Sequence, residues 1–97
     1  MKIDPAAAAK EFTTEAVARL KILRDALAQL SDFTAAEVER TLKAVAAQLG
    51  VKVGVLVHPT RLACTGAAAG PSLYHLMEIL GQPTVLKRLG VQIEPAA

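Results

Sequence analysis

Arg61 is the side chain whose type and position most favour binding chemistry in this chain. It lies in an otherwise apolar run, so its guanidinium must reach water, an acid or a ligand. Its planar fork of donors suits the edge of a nucleobase or a phosphate group. An ion pair with an acid such as Glu37 or Glu78, or simple extension into solvent, explains the same arginine without a ligand. Sequence physics alone favours that simpler interpretation.

The small-residue segment at residues 67–72, which we call the link, bears on the same site. It reads Ala-Ala-Ala-Gly-Pro-Ser, and small residues leave room for backbone to approach a ligand closely. A helix that begins near Ser72 would add free backbone N–H groups. A plain connector between two helices accounts for the link equally well. Arg61 and Ser72 are expected at the same end of adjacent helices.

Catalytic and metal-binding arrangements are poorly supported. His58 and His75 have no metal-ligand spacing with Cys64 or with each other. The apolar neighbours of Cys64 favour a buried, inert thiol in a reducing compartment over a nucleophile. The glycines match no phosphate-binding pattern. An enzyme active site within this chain is therefore not expected.

Composition indicates one small helical domain. A chain of 97 residues allows a single compact domain, here expected to span residues 1–97. The sequence is 53% hydrophobic, much of it alanine, and 3% aromatic, which favours closely packed helices over a sheet. No apolar run is long enough to cross a bilayer, and the N-terminus lacks a signal-peptide core. We therefore expect a cytoplasmic protein with no membrane partner.

The charge balance limits the kind of nucleic-acid contact that is feasible. The net charge is only +2, from eleven basic and nine acidic residues. A protein that binds by non-specific attraction to phosphates usually carries a larger excess. Any such contact must therefore depend on a few placed groups.

The first half of the chain carries clear helix signals, which predict an all-α fold. An Asp-Pro pair starts a short first helix. Apolar residues at three- and four-residue steps predict helices over residues 14–30 and 34–49. The second of these begins with a capping box at Thr34 and ends at Gly50. The opposite face of the first is expected to be solvated, and it carries Arg19, Lys21, Arg24 and Asp25.

The second half completes a predicted small bundle of about five or six helices. Apolar and other residues alternate at positions 51–57 as in a β-strand, but the sequence offers no second strand to pair with them. We therefore expect a turn followed by a helix. Pro59 is expected to kink or restart this helix. A short helix is expected over residues 72–80, with Ser72 as a candidate cap. A last helix opens at Pro83, with its basic pair pointing outward. The segments 1–12 and 90–97 are expected to be loosely docked ends.

The closing stretch resembles the distal anticodon-binding domain of bacterial glutamyl-tRNA synthetases. That family has a Pro-x-Arg-x-Ala-x-Thr-Gly element, found here at residues 59–66, and a small-residue link that ends near a proline, here at residues 70–71. An apolar helix ending Leu-Gly follows at residues 73–81, and a Leu-x-Arg-Leu ending at residues 86–89. The resemblance spans nearly the whole chain and is most specific in these elements.

The resemblance implies a helical cage that grips the anticodon bases of tRNA(Glu). Arg61 would correspond to an arginine implicated in reading the first anticodon base. The base pockets would be lined by Gly70, Ser72 and Leu73, with the Leu73 side chain packed against base faces. Some members carry a hydroxyl residue where Gly70 stands. We add three basic residues as candidate phosphate contacts: Lys52, Lys87 and Arg88.

The leading hypothesis is therefore an RNA-binding module, the C-terminal domain of a glutamate–tRNA ligase. Its partners would be the anticodon loop of tRNA(Glu) and the remainder of the synthetase. The family's catalytic elements lie outside this chain, so no cofactor is expected here, whereas the parent enzyme would use ATP and magnesium. The alternative is a helical structural or protein-interaction domain without RNA binding. This alternative predicts that Arg61 is paired with an acid and that no open cleft lies beside the link.

Overall fold

Six α-helices make up the parts of the chain that the structure, a computed structural model, describes: residues 3–67 and 69–93. They are α1 (Pro5–Glu11), α2 (Thr14–Ala28), α3 (Ala35–Leu49), α4 (Val53–Thr65), α5 (Leu73–Leu80) and α6 (Gln82–Ile93). These described residues contain no β-strand. The prediction of an all-α bundle of five or six helices is confirmed.

Side-chain caps start the first three helices. Asp4, Thr13 and Thr34 each accept a hydrogen bond from the backbone N–H three residues further on, at 3.1, 3.2 and 3.2 Å. The capping box predicted at Thr34 is only half formed, because the Glu37 carboxylate pairs with Arg40 instead of returning to the cap. These local caps fix where α1, α2 and α3 begin.

The ambiguous segment at residues 51–57 becomes a turn and the start of α4, as predicted. α4 then continues through Pro59 to Thr65. The expected restart at the proline is wrong, since the missing N–H removes a single hydrogen bond, the one to the Val55 carbonyl. Gly66 ends the helix with a left-handed conformation at φ 79°.

The core consists of aliphatic side chains from five of the six described helices. α1 buries no residue and packs against α4. α6 extends to Ile93, whose half-buried side chain packs against the core. Residues 90–93, expected to belong to a loosely docked end, are thus part of α6, while residues 94–97, like 1–2 and 68, lie outside the described residues. The core is formed by Leu20, Leu23, Leu27, Val38, Leu42, Val45, Ala46, Leu56, Ala63, Cys64, Leu73, Met77, Val85 and Leu89.

Polar side chains of α5 and α6 close the ends of α2 and α3. Glu78 Oε1 accepts a hydrogen bond from the N–H of Ala35, at 2.7 Å, and so caps the start of α3. Gln82 Nε2 donates to the carbonyls of Leu27 and Leu30 at the end of α2, at 2.8 and 3.0 Å. These contacts satisfy backbone groups that a helix end leaves without partners. They also fix α5 and α6 relative to the first helical pair.

Arg24 joins α2 to α6 and is not part of a solvated face. Its Nε donates to the Leu86 carbonyl at 3.0 Å, and the side chain is half-buried. A Cβ atom at Gly90 would lie 3.5 Å from that Nε, in ordinary van der Waals contact, so the arginine side chain passes directly over α6 at this glycine. The expectation of a solvent-facing Arg24 is wrong because the close approach of α6 covers it.

Among the helices in the described ranges, none is long and apolar enough to cross a membrane.

Replacing Thr60 by valine is expected to stabilise the fold. Thr60 is fully buried, and its Oγ1 has no hydrogen-bond partner within the described residues. An unsatisfied buried hydroxyl costs about 1–3 kcal/mol, and valine has nearly the same shape. Urea unfolding of Thr60→Val should therefore show a free energy of unfolding raised by about 1 kcal/mol.

Thr41→Val is the matched control, because the Thr41 hydroxyl donates to the Glu37 carbonyl at 2.8 Å. Valine at position 41 should lower the free energy of unfolding or leave it unchanged. A Thr60→Val protein less stable than the parent would show that the hydroxyl has a partner after all.

Candidate nucleic-acid interface

Arg61 lies on α4, one turn before its end, with its side chain partly exposed. Its Nη1 donates to the carbonyl of Pro71 at 2.7 Å. Glu37 pairs with Arg40, and Glu78 caps α3, so neither acid neutralises Arg61. Throughout residues 3–67 and 69–93 no carboxylate lies within ion-pair distance of this guanidinium. Among the described residues, therefore, neither Glu37 nor Glu78 forms the ion pair with Arg61 that the sequence suggested.

The start of the link is organised by Thr65, a residue that the sequence analysis did not single out. Its hydroxyl donates to the Arg61 carbonyl at 2.7 Å and accepts from the N–H of Ala67 at 3.1 Å. The Thr-Gly pair at the end of the arginine element was the available signal, since hydroxyl residues commonly bond to nearby backbone. Both ends of the link thus depend on Arg61, through its carbonyl and through its guanidinium. Ala68, within the link, lies outside the described residues.

Gly70 leaves space beside the guanidinium. The residue is exposed, and a Cβ atom placed on it would lie 3.4 Å from Nη1 of Arg61. A side chain at position 70 would therefore begin in contact with this donor group. The structure thus places Arg61 next to Gly70 and Pro71 of the link.

Ser72 occupies the N-cap position of α5 but does not cap it. Its Oγ lies 3.0 Å from Nδ1 of His75, and no side chain caps the start of the helix. The predicted role of Ser72 as a side-chain cap is wrong, because its hydroxyl is hydrogen-bonded to the His75 imidazole and not to a backbone N–H group. The backbone N–H groups in the first turn of α5 consequently remain available to another acceptor.

Leu73 is at the predicted place in the chain, but its side chain points into the protein. It is 2% exposed and belongs to the hydrophobic core. A side chain that packs beneath the site cannot also lie against a base face, so that expected role is wrong.

The three candidate phosphate contacts divide into separate positions. Lys52 is exposed at the N-cap of α4, nine residues before Arg61 and therefore about 13 Å away along the helix axis. Lys87 is exposed on α6. Arg88 is half-buried, and its Nη1 donates to the Cys64 carbonyl at 2.5 Å. The expectation that Arg88 points outward is therefore wrong, because its side chain reaches α4 and caps a carbonyl near the end of that helix.

Cys64 is buried, as predicted, and its environment makes it a poor nucleophile. Desolvation raises the pKa of the thiol from its ordinary value of 9.0 to about 12, although the nearby charge of Arg88 lowers it somewhat. Because the thiolate is the reactive form, this thiol is inert near neutral pH.

Cys64 should make the protein less stable as the pH rises above 9. There the unfolded chain loses the thiol proton while the folded chain keeps it, so deprotonation favours unfolding until the pH reaches about 12. Between about pH 8 and about pH 10 the free energy of unfolding should fall by about 1.4 kcal/mol from this group.

Urea unfolding at both pH values measures this decrease, with Cys64→Ala as the comparison. The alanine variant keeps Tyr74, whose phenol pKa is also raised by burial, and lacks only the thiol contribution. Equal decreases of stability in the two proteins would contradict a buried, neutral thiol.

Comparison with known proteins gives one consistent result. The family model described as anticodon binding domain matches residues 1–93. The chain is 42% identical over 85 residues to the glutamate–tRNA ligase of Chlorobium phaeobacteroides, covering 88% of this chain and 17% of the relative. It is 44% identical over 81 residues to the glutamate–tRNA ligase of Moorella thermoacetica, covering 82% of this chain and 16% of that relative.

A solved structure agrees with these sequence relatives. The fold is similar to part of a glutamate tRNA ligase from Elizabethkingia meningosepticum, crystallised in complex with its amino acid. The TM-score is 0.89 at 27% identity, over 99% of this chain and 19% of that one. The chain thus spans less than a fifth of the length of the relatives described here.

Proposed function

The chain belongs to the anticodon-binding-domain family, and on that premise we propose that it is the anticodon-recognition domain of a glutamate–tRNA ligase. The similarity to three such ligases supports this assignment. The proposed partner is the anticodon loop of tRNA(Glu). The remainder of the synthetase would carry out the ATP- and magnesium-dependent chemistry, in the cytoplasm.

The observation that carries the proposal is the state of Arg61. Its guanidinium is partly exposed, lies beside Gly70 and is not neutralised by an acid within the described residues. One of its five N–H groups donates to Pro71, and the others remain for a ligand. The alternative of a structural module without RNA predicted an acid partner for this charge, and within the described residues neither Glu37 nor Glu78 is that partner.

Recognition would be non-covalent and would act on an unpaired base. Bases in a single-stranded loop can be splayed out and read on their edges, which is how proteins achieve sequence-specific RNA recognition. The guanidinium would donate two parallel hydrogen bonds to acceptors on one base edge. The uncapped N–H groups at the start of α5, near Ser72, would donate to a second base or to a phosphate.

Arg61→Ala should weaken binding of the tRNA(Glu) anticodon stem-loop by about tenfold or more, since a bidentate arginine–base contact contributes about 1–3 kcal/mol of discrimination. Arg61→Lys should weaken it nearly as much, because lysine keeps the charge but lacks the fork. Fluorescence anisotropy at low salt measures the Kd of each protein.

Two comparisons make the result specific. Lys21→Ala removes the same charge from an exposed site on α2 and should change the Kd less than twofold. A stem-loop with an altered first anticodon base should bind the parent protein weakly and should be insensitive to Arg61→Ala. If Arg61→Ala and Lys21→Ala bind the natural stem-loop equally well, the proposed role of Arg61 is wrong.

A further inference from the structure

A second basic site lies where α1, the start of α2 and α4 meet. A cavity of about 250 Å³ opens there. Its wall includes the basic side chains of Lys10, Arg19 and His58 and the backbone of Gly54. The sequence analysis assigned no role to this group, because its members come from three separate helices. We propose that this cavity binds a phosphate of the RNA backbone, next to the nucleotide that Arg61 reads; the inference rests on the function proposed above.

The charges around the cavity favour an anion. Lys10, Arg19 and His58 form no ion pair or hydrogen bond within residues 3–67 and 69–93. Glu11 is the single acid among the lining residues that the structure describes, and it is not within ion-pair distance of the basic groups. The described surface of α3 differs, since Arg40 and Lys43 there are paired with Glu37 and Glu39. The cavity wall therefore carries more positive than negative charge, with Lys10 and Arg19 against Glu11.

Gly54 lies in the wall of the cavity. A Cβ atom at this position would meet no atom within 4 Å, so the absent side chain leaves open space in the wall. A phosphate oxygen could therefore approach the first turn of α4, where the Val55 N–H already donates to the Lys52 carbonyl but the N–H groups of Val53 and Gly54 precede the first helical hydrogen bond.

The position of the cavity on α4 links it to Arg61. Gly54, His58 and Arg61 follow one another at four- and three-residue steps, so they lie along one stripe of the helix. His58 and Arg61 are therefore separated by about 4.5 Å along the helix axis. A strand whose base contacts Arg61 would then run its backbone over the cavity.

Gly54→Asp and Gly54→Ala test the site without damaging the fold. Position 54 is in the first turn of α4, where an aspartate is favourable and where alanine is a better helix former than glycine. Thermal unfolding should show both variants at least as stable as the parent. The aspartate places a carboxylate at the cavity, whereas the alanine adds only a methyl group.

Stem-loop binding measured at about 50 mM and about 200 mM salt gives the readout. For every phosphate that the protein no longer neutralises, the increase in Kd between these two salt concentrations should be about 2–3-fold smaller. We expect this change for Gly54→Asp and for Arg19→Gln, together with weaker binding at low salt. Lys21→Gln, the matched control, should retain the parental Kd and salt dependence, and Gly54→Ala, which adds a methyl group without a charge, should reduce both less than Gly54→Asp does.

The outcomes separate this inference from the function on which it rests. If the parent protein binds and Arg61→Ala weakens binding, but Gly54→Asp behaves like Gly54→Ala, the cavity is not a phosphate site and the anticodon role stands. An Arg19→Gln effect no larger than that of Lys21→Gln also overturns the inference. Absence of binding by the parent protein overturns both proposals.

Discussion

The backbone groups left without partners at helix ends are the constraint on which this structure depends. Short helices have many such groups in proportion to their length, and burying them unpaired is costly. Here side chains from other helices supply the partners: Glu78 for the start of α3, Gln82 for the end of α2 and Arg88 for the end of α4. These bonds specify which helix ends meet, which the alanine-rich packing alone would specify poorly.

Arg61 follows the same rule and shows how a structural bond can prepare a binding group. Its bond to the Pro71 carbonyl orders the link and, at the same time, limits the positions that the guanidinium can take. A donor that is already positioned loses less conformational entropy when it meets a ligand. Bonding to a carbonyl instead of a carboxylate leaves the positive charge in place. The contact therefore supports recognition and does not compete with it.

The sequence predicted structural features that depend on residues close in the chain, such as helix starts and ends. It did not predict side-chain contacts that depend on residues far apart in the chain. The cap at Thr34 and the stop at Gly50 arise within a single turn of chain, and both were predicted. The inward direction of Leu73, the pairing of Ser72 with His75 and the bond from Arg88 to Cys64 depend on how helices face each other. A resemblance to a family identified the arginine element, but it could not say which of its neighbours point toward the solvent.

The distribution of charge would allow a chain with a net charge of +2 to make the proposed contact with RNA. The net charge counts every basic residue equally, whether or not an acid is paired with it. Arg40 and Lys43 on α3 are paired with acids, so they contribute little to long-range attraction. On α4, by contrast, His58 and Arg61 form no ion pair with an acid among the described residues. Attraction to a polyanion depends on this local excess, since beyond about 10 Å salt screens the rest of the surface. A nearly neutral domain can therefore present one face that attracts a strand while its other faces do not.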